Sequence, residues 1–509
     1  RLRFHDPAKE KTRMCPRRPN CKFFLRNDCW FAHSEEEIRC PAYARDGHCP
    51  MPRVSLNPVR CPQGLHERGT GQIFEYTQES TPMDREKKSW GNKPPTSVLN
   101  YVKPLFMYPL PDALAAMIAQ RKEDLDDAVK RRKFIVALHA TLNAIIASPT
   151  TTLTRDNYKT IVPALLFVDE AQKLNDMRRY DIKGAELEQS VQNGLWKVVV
   201  PSLAEKRPSV LRGDEIVLHD TGLDRVHTGY VHFVNLDHVM VSFDDSEEYS
   251  AGPYNIYFKM GRTQWRTQHR AVEDAPVFLD EAMARPLALP SAGHLAAVRP
   301  ILSELTKNLT SDQKSFIDQA IGQPRGLHIL WGPPGTGKTT TLVAAIRAIT
   351  MTSPKARVLV VAPSNAAVDV VTERLIASCG PRAPKIVRVH SLSRAHKDVS
   401  DVVKSVSMPN RRTGGFDFPS ATSLSVEGIV VLSTLSTSAR IDSIGCKSFD
   451  FILVDEAGQA TEGELLLPLT LARPAQTRVL VAGDHKQLGP IVPPALNRYE
   501  AARSPLVRL

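Results

Sequence analysis

The chain has 509 residues, 42% of them hydrophobic and 24% charged, with a formal net charge of +11. That composition excludes a fibrous or disordered protein and supplies cores for about three or four domains. The positive balance favours an anionic partner, of which nucleic acid is the commonest. No run of about 18 apolar residues offers a membrane span.

The sequence starts Arg1-Leu2-Arg3-Phe4-His5, with neither Met nor an apolar signal region, so upstream residues are expected. Six of the eight cysteines lie between Cys15 and Cys61; the others are Cys379 and Cys446. Residues 1–70 are rich in Cys, Arg and Pro and lack apolar periodicity, so this segment needs a staple to fold. Cys15, Cys21, Cys29 and His33 supply three thiolates and an imidazole, the donor set of a tetrahedral structural Zn²⁺. Their spacing resembles the CCCH zinc fingers of RNA-binding proteins, although the usual gaps differ. Cys40, Cys49, Cys61 and His66 form a second candidate set, in which His48 could substitute. Phe23, Phe24, Trp30 and Phe31 alternate with Arg17, Arg18, Lys22 and Arg26. Those rings could stack on unpaired bases or form a small core around the metal.

Residues 71–102 read as a linker of Gly, Pro, Ser, Thr and charges. Residues 103–200 read as helical, with one periodic stretch over 111–147 and a helix over 155–180. Inside the latter, Leu166-Phe167-Val168-Asp169-Glu170 imitates the acidic strand of an ATPase. Phe167, Ala171, Leu174 and Arg178 continue at helical spacing, so Asp169 and Glu170 are expected on a solvated helix face. Residues 201–280 are expected to form the next domain, and from Asp214 to Met260 within it the period changes to two. Ile216–Leu218, Tyr230–Val234, His238–Phe243 and Tyr254–Phe258 suggest a small antiparallel β-barrel. Residues 281–308 read as a stalk or linker. From 309 to 509 the chain becomes α/β, with apolar strands at His328–Trp331, Arg357–Ala362, Gly428–Ser433, Phe451–Val454 and Arg478–Ala482. Unbroken apolar runs predict strands buried on both faces of a parallel sheet. The expected fold is therefore multidomain: zinc-finger N-terminus, helical segment, small barrel, then an α/β phosphate-loop domain.

Gly332-Pro333-Pro334-Gly335-Thr336-Gly337-Lys338-Thr339-Thr340 follows the first of these strands and opens a helical pattern. This is the context of a phosphate-binding loop, whose backbone N–H groups wrap the β-phosphate. Lys338 would reach the phosphates, and the Thr339 hydroxyl would ligand Mg²⁺. Asp455 and Glu456 end the strand Phe451–Val454 on the same sheet edge. Asp455 would hold Mg²⁺ with Thr339, and Glu456 would polarise the attacking water. Gln487 could sense the γ-phosphate, and Gln313 could read adenine.

Together these residues resemble superfamily 1 helicases: Gln313, Gly332–Thr339, Ala362–Asp369, Ser433-Thr434, Asp455–Ala460 and Gly483–Pro490. The Ala362-Pro363-Ser364-Asn365 and Asp455-Glu456-Ala457-Gly458 variants look like the up-frameshift class. Ser202–Pro208 and Met177–Asp181 are similar to the Armitage and Mov-ten type RNA-silencing helicases. The resemblance implies an ATP- and Mg²⁺-dependent RNA helicase moving 5′ to 3′ on single strands, built from RecA-like domains with an inserted barrel on helical stalks. It implies RNA-backbone contacts at Pro363, Ser364, Asn365, Ser433 and Thr434. It also implies RNA-silencing or mRNA-decay partners and a cytoplasmic location. The sequence stops at Leu509, after the third ATPase motif, so the second RecA-like domain and its arginines are expected to lie outside it. Hydrolysis by this stretch alone is expected to be slow. Two other functions are a non-enzymatic zinc-finger RNA-binding protein and a DNA helicase of the same superfamily.

Overall fold

The computed structural model describes a hairpin at 60–61 and 64–65, and residues 103–508 apart from 104, 120–127, 190–194, 206–208, 221, 223–224, 244–252, 275–291, 323–325, 381–382, 393, 411–413 and 474–475. The chain divides into two compact units, 1–88 and 89–509, and the hairpin belongs to the first. The side chains of all eight zinc candidates, Cys15, Cys21, Cys29, His33, Cys40, Cys49, Cys61 and His66, lie outside what is described.

In the second unit, helices run over Asp112–Ala119, Ala128–Asn143 and Tyr158–Asp176. The last is amphipathic: Tyr158, Ile161, Val162, Leu165, Val168 and Gln172 recur at helical spacing and are buried. Asp169 and Glu170 lie on this helix, not on a strand, but the expected solvated face is wrong. Glu170 is fully buried and paired with Arg262, while Asp169 accepts from the Trp265 indole at 2.7 Å and from Lys173 at 2.9 Å. Asp169 fastens this helix to Thr263–Asp274 and Glu170 fastens it to Arg262 just before that helix, and helical periodicity cannot show a partner from so far along the chain.

Between those two helices lies a seven-stranded antiparallel sheet. Its order is Ile182–Ala185, Tyr254–Lys259, Glu215–Asp220, Arg225–Val234, His238–Ser242, Trp196–Val199, Glu188–Gln189. Its first strands thus come from the stretch expected to be helical. Val198, Ile216, Leu218, Val231, Val239, Val241, Ile256 and Phe258 share one core. They alternate with outward residues along the strands, as a half-buried sheet requires. The register shifts between Val231 and Phe233, and His232 turns inward with its Nε2 2.8 Å from the Ser242 hydroxyl. Gly229 is required there, because a Cβ would stand 2.3 Å from the Ser242 carbonyl oxygen.

The α/β domain holds six parallel strands in the order Gly326–Trp331, Arg478–Gly483, Phe451–Val454, Val358–Ala362, Ile429–Thr434, Lys385–Arg388. Odd and even residues of each strand enter different cores. Val358, Val360, Leu453 and Leu480 meet the helices Ala292–Leu305, Ser311–Gly322, Lys338–Thr352 and Asn365–Ser378 on one face. Leu359, Val361, Ile452 and Val481 meet Tyr158–Asp176, Leu435–Ser443 and Glu462–Leu469 on the other. Burial on both faces is why these strands are unbroken apolar runs. Among the described residues no helix is long and apolar enough to cross a membrane.

Candidate nucleotide and nucleic-acid site

All six strands are parallel, so the segments that leave their carboxyl ends collect along one edge of the sheet. Gly332–Gly337 is the segment after the edge strand. Gly335 and Gly337 have φ of +77° and +82°, a region closed to most side chains. A Cβ at Gly332 would lie 2.7 Å from the Thr336 hydroxyl. Lys338 begins the following helix, is buried, and donates to the carbonyls of Gly332 at 2.7 Å and Pro333 at 3.1 Å. The ammonium is thus held inside the curve of the loop. Pro333, Pro334, Gly335, Thr336 and Thr340 are exposed around it.

Strand Phe451–Val454 carries Asp455 to the same edge. The Thr339 hydroxyl donates to Asp455 Oδ2 at 2.9 Å, across 116 residues of sequence. Burial pushes the Asp455 carboxyl up, the Thr339 hydrogen bond opposes this, and Glu456 beside it adds to the rise. Glu456 sits at φ +53°, a strained conformation for a non-glycine residue. Its carboxylate accepts from the Gln459 amide at 3.2 Å. The next loop packs against it backbone to backbone: a Cβ at Gly458 would stand 2.5 Å from the Asp484 carbonyl oxygen, and one at Gly483 2.8 Å from the Gly458 nitrogen. Gln487 donates to Asp484 Oδ2 at 2.9 Å, and that bond leads the causes holding the Asp484 carboxyl down.

Gln313 reaches the loop from the helix Ser311–Gly322. Its Nε2 donates to the Thr336 carbonyl at 2.8 Å, and its Oε1 accepts from the Thr310 N–H at 3.0 Å. The amide is thereby oriented, with a second N–H and a second lone pair to offer. Oxygen donors at Thr339 and Asp455, already within hydrogen-bond distance of each other, suit a hard divalent cation such as Mg²⁺. Among the described residues no three His, Cys, Asp or Glu side chains form a larger metal-binding group.

The nucleic-acid candidates lie further along the edge, on neighbouring strands paired Ala362 to Thr434. Ser364 caps the helix Asn365–Ser378, accepting from the Ala367 N–H at 3.1 Å. Thr434 caps Leu435–Ser443, accepting from the Thr437 N–H at 3.3 Å. Pro363 is half-buried between them. Ser433 does not fit a surface contact: it is fully buried, and its hydroxyl donates to the Thr434 carbonyl at 3.2 Å. Sequence reading also missed a cluster around Asn365. Its Oδ1 accepts from Arg388 at 2.8 Å, and Arg388 and Arg394 both pair with Asp369. The one local signal was a charged residue closing the short strand Lys385–Arg388. Trp331 was missed as well; it lies beside the loop with Lys486 Nζ 5.4 Å above its ring.

Comparison with known proteins agrees with this division. The family model described as an AAA domain matches residues 308–415 and 421–493, and the one described as the β-barrel domain of helicase MOV-10 matches 180–255. Helicase mov-10-B.1 of Danio rerio is 32% identical over 439 residues, covering 82% of this chain and 42% of that protein. RNA helicase Mov10l1 of Homo sapiens is 27% identical, covering 76% of this chain and 35% of the relative. RNA helicase armi of Drosophila melanogaster is 26% identical, covering 64% and 31%. The chain therefore spans less than half the length of these relatives. In the stretch 180–255 and in its α/β domain, the chain is similar to the MOV-10, Mov10l1 and armi helicases.

Proposed function

We propose that the protein is an ATP-dependent RNA helicase of the RNA-silencing or surveillance type, which couples nucleotide hydrolysis to movement along single-stranded RNA. One observation carries the nucleotide half of this reading: the 2.9 Å approach of Thr339 to Asp455 beside a loop that encloses the Lys338 ammonium. Mg²⁺ held there would neutralise phosphate charge. On binding, Lys338 exchanges its loop carbonyls for phosphate oxygens, and Gln313 offers its free amide valences to adenine. In this reading Glu456 would take a proton from the attacking water, and Gln487 would sense the γ-phosphate. Helicase relatives and a net charge of +11 support an RNA partner along the strand ends at Pro363, Ser364, Asn365 and Thr434. We also assign Zn²⁺ to the cysteine and histidine sets of residues 1–70, on ligand type and spacing, and a cytoplasmic setting to the whole protein.

Titration with a fluorescent ATP analogue and Mg²⁺ tests the nucleotide site. Lys338→Ala should weaken binding at least about 100-fold, because it removes a charge-assisted contact worth about 3 kcal/mol. Unchanged affinity would exclude this loop as the site. Competition between oligouridylate and the matching DNA, at two salt concentrations, tests the polymer, and metal analysis after chelation tests the zinc.

A further inference from the structure

We propose that Arg388 is a positioning residue: it fixes the Asn365 amide so that this side chain offers N–H groups outward, which commits the loop 363–365 to phosphate oxygens rather than to bases. The proposal rests on the reading above that this loop meets RNA. A guanidinium has five donors and no acceptor, so the Asn365 atom facing Arg388 at 2.8 Å is the carbonyl oxygen. The amide NH₂ then points to whatever approaches the loop, and an NH₂ group matches an anionic oxygen.

The orientation is fixed because Arg388 cannot turn. It is 1% exposed, with Nε on Asp369 Oδ1 at 3.0 Å and Nη1 on the Val389 carbonyl at 2.5 Å. Asp369 is in turn clamped by Arg394, 2.5 Å from Oδ2 and 3.3 Å from Oδ1. His390 stacks on Phe416 at 3.8 Å beside both arginines and, pushed down to about 2 by burial and then by their charges, stays neutral. Two guanidinium groups against one carboxylate leave a net positive charge behind the loop, which also favours phosphate. The contact joins the edge strand Lys385–Arg388 to the helix Asn365–Ser378, so the loop's chemistry depends on a residue 23 positions away.

A double-mutant cycle on the protein tests this, reading oligouridylate affinity by fluorescence anisotropy and Mg-ATP affinity in parallel. Asn365→Ala and Arg388→Gln should each weaken RNA binding about tenfold, with ATP affinity unchanged. The double variant should bind no more weakly than Asn365→Ala, because the two residues act as one unit. Arg388→Lys should lose as much as Arg388→Gln: it keeps the charge but lacks the fork that serves two partners. Additive losses, or wild-type binding by Arg388→Lys, would overturn the proposal while leaving the loop's RNA contact standing. Wild-type binding by Asn365→Ala would instead overturn the RNA reading of the loop. Should Arg388→Gln fail to fold, the cycle built on Arg388→Lys gives the same decision.

Discussion

Replacing Glu170 with alanine should cost stability and spare nucleotide binding, although the residue sits in a sequence that imitates an ATPase acid. Glu170 has no exposed surface, and both its carboxylate oxygens accept from Arg262. Removing one member of a buried pair costs about 3–5 kcal/mol, because the remaining charge loses its compensation. Here the lower end applies. Arg262 keeps its bonds to the Met107 and Tyr108 carbonyls, and 27% of its side chain reaches solvent. At about 2–4 °C per kcal/mol, a loss of about 3 kcal/mol lowers the melting midpoint by roughly 6–12 °C. Thermal melts and Mg-ATP titrations on the same samples read both quantities. Asp455→Asn is the opposite case. Its carboxyl is already pushed up by burial, so a neutral amide of the same shape should keep or raise the midpoint and abolish Mg²⁺-dependent binding. A Glu170→Ala protein that melts like wild type but no longer binds nucleotide would refute the structural assignment of that pair.

Gly458→Ala should weaken nucleotide binding more than tenfold, as measured by the same titration, because its Cβ meets backbone that cannot turn aside and must push Asp484 and Gln487 from their places. Stability should also fall with acid. His328 titrates at about 4 in the folded chain, against 6.5 ordinarily, because burial and the nearby Arg478 disfavour its charged form. The unfolded chain therefore binds more protons between those values, and stability drops by roughly 3 kcal/mol as pH falls from about 6.5 towards 4. Neither ring nitrogen of His328 has a partner among the described residues, so His328→Leu should flatten this slope without loss at neutral pH. Urea titrations at several pH values measure it, and an unchanged slope would count against the burial argument.

The parts legible in the sequence are those whose cause is local. Burial on both faces writes itself as an apolar run, so strands such as Phe451–Val454 could be placed to within a residue or two. The glycine-rich loop has its glycines at fixed short spacing, and Gly335 and Gly337 do adopt the left-handed backbone that makes them necessary. Strand Lys385–Arg388 escaped notice because an edge strand with two apolar residues has no period to detect. The sheet strands before residue 200 were read as helix because four residues are too few to show a period of two. Long-range pairs were illegible for another reason. Nothing near Glu170 announces Arg262, and nothing near Asn365 announces Arg388, so Glu170 was read as solvated and Asn365 was read without its arginine partner. Ser433 shows the same limit: a family motif places it at the strand end, and only packing shows that it faces inward.

The seven-stranded sheet enters and leaves through two helices, Tyr158–Asp176 and Thr263–Asp274, that are bolted to each other by Arg262–Glu170 and Trp265–Asp169. They are also bolted to the α/β domain: Tyr158 donates to Glu462 at 2.7 Å, and Arg270 to Asp442 at 2.9 Å. A domain on a single tether can swivel freely, whereas one on a doubled, cross-braced mount transmits torque. The mount therefore rests on two helices of the α/β domain at once: Glu462–Leu469, which follows the Asp455–Glu456 segment, and Leu435–Ser443, which Thr434 caps.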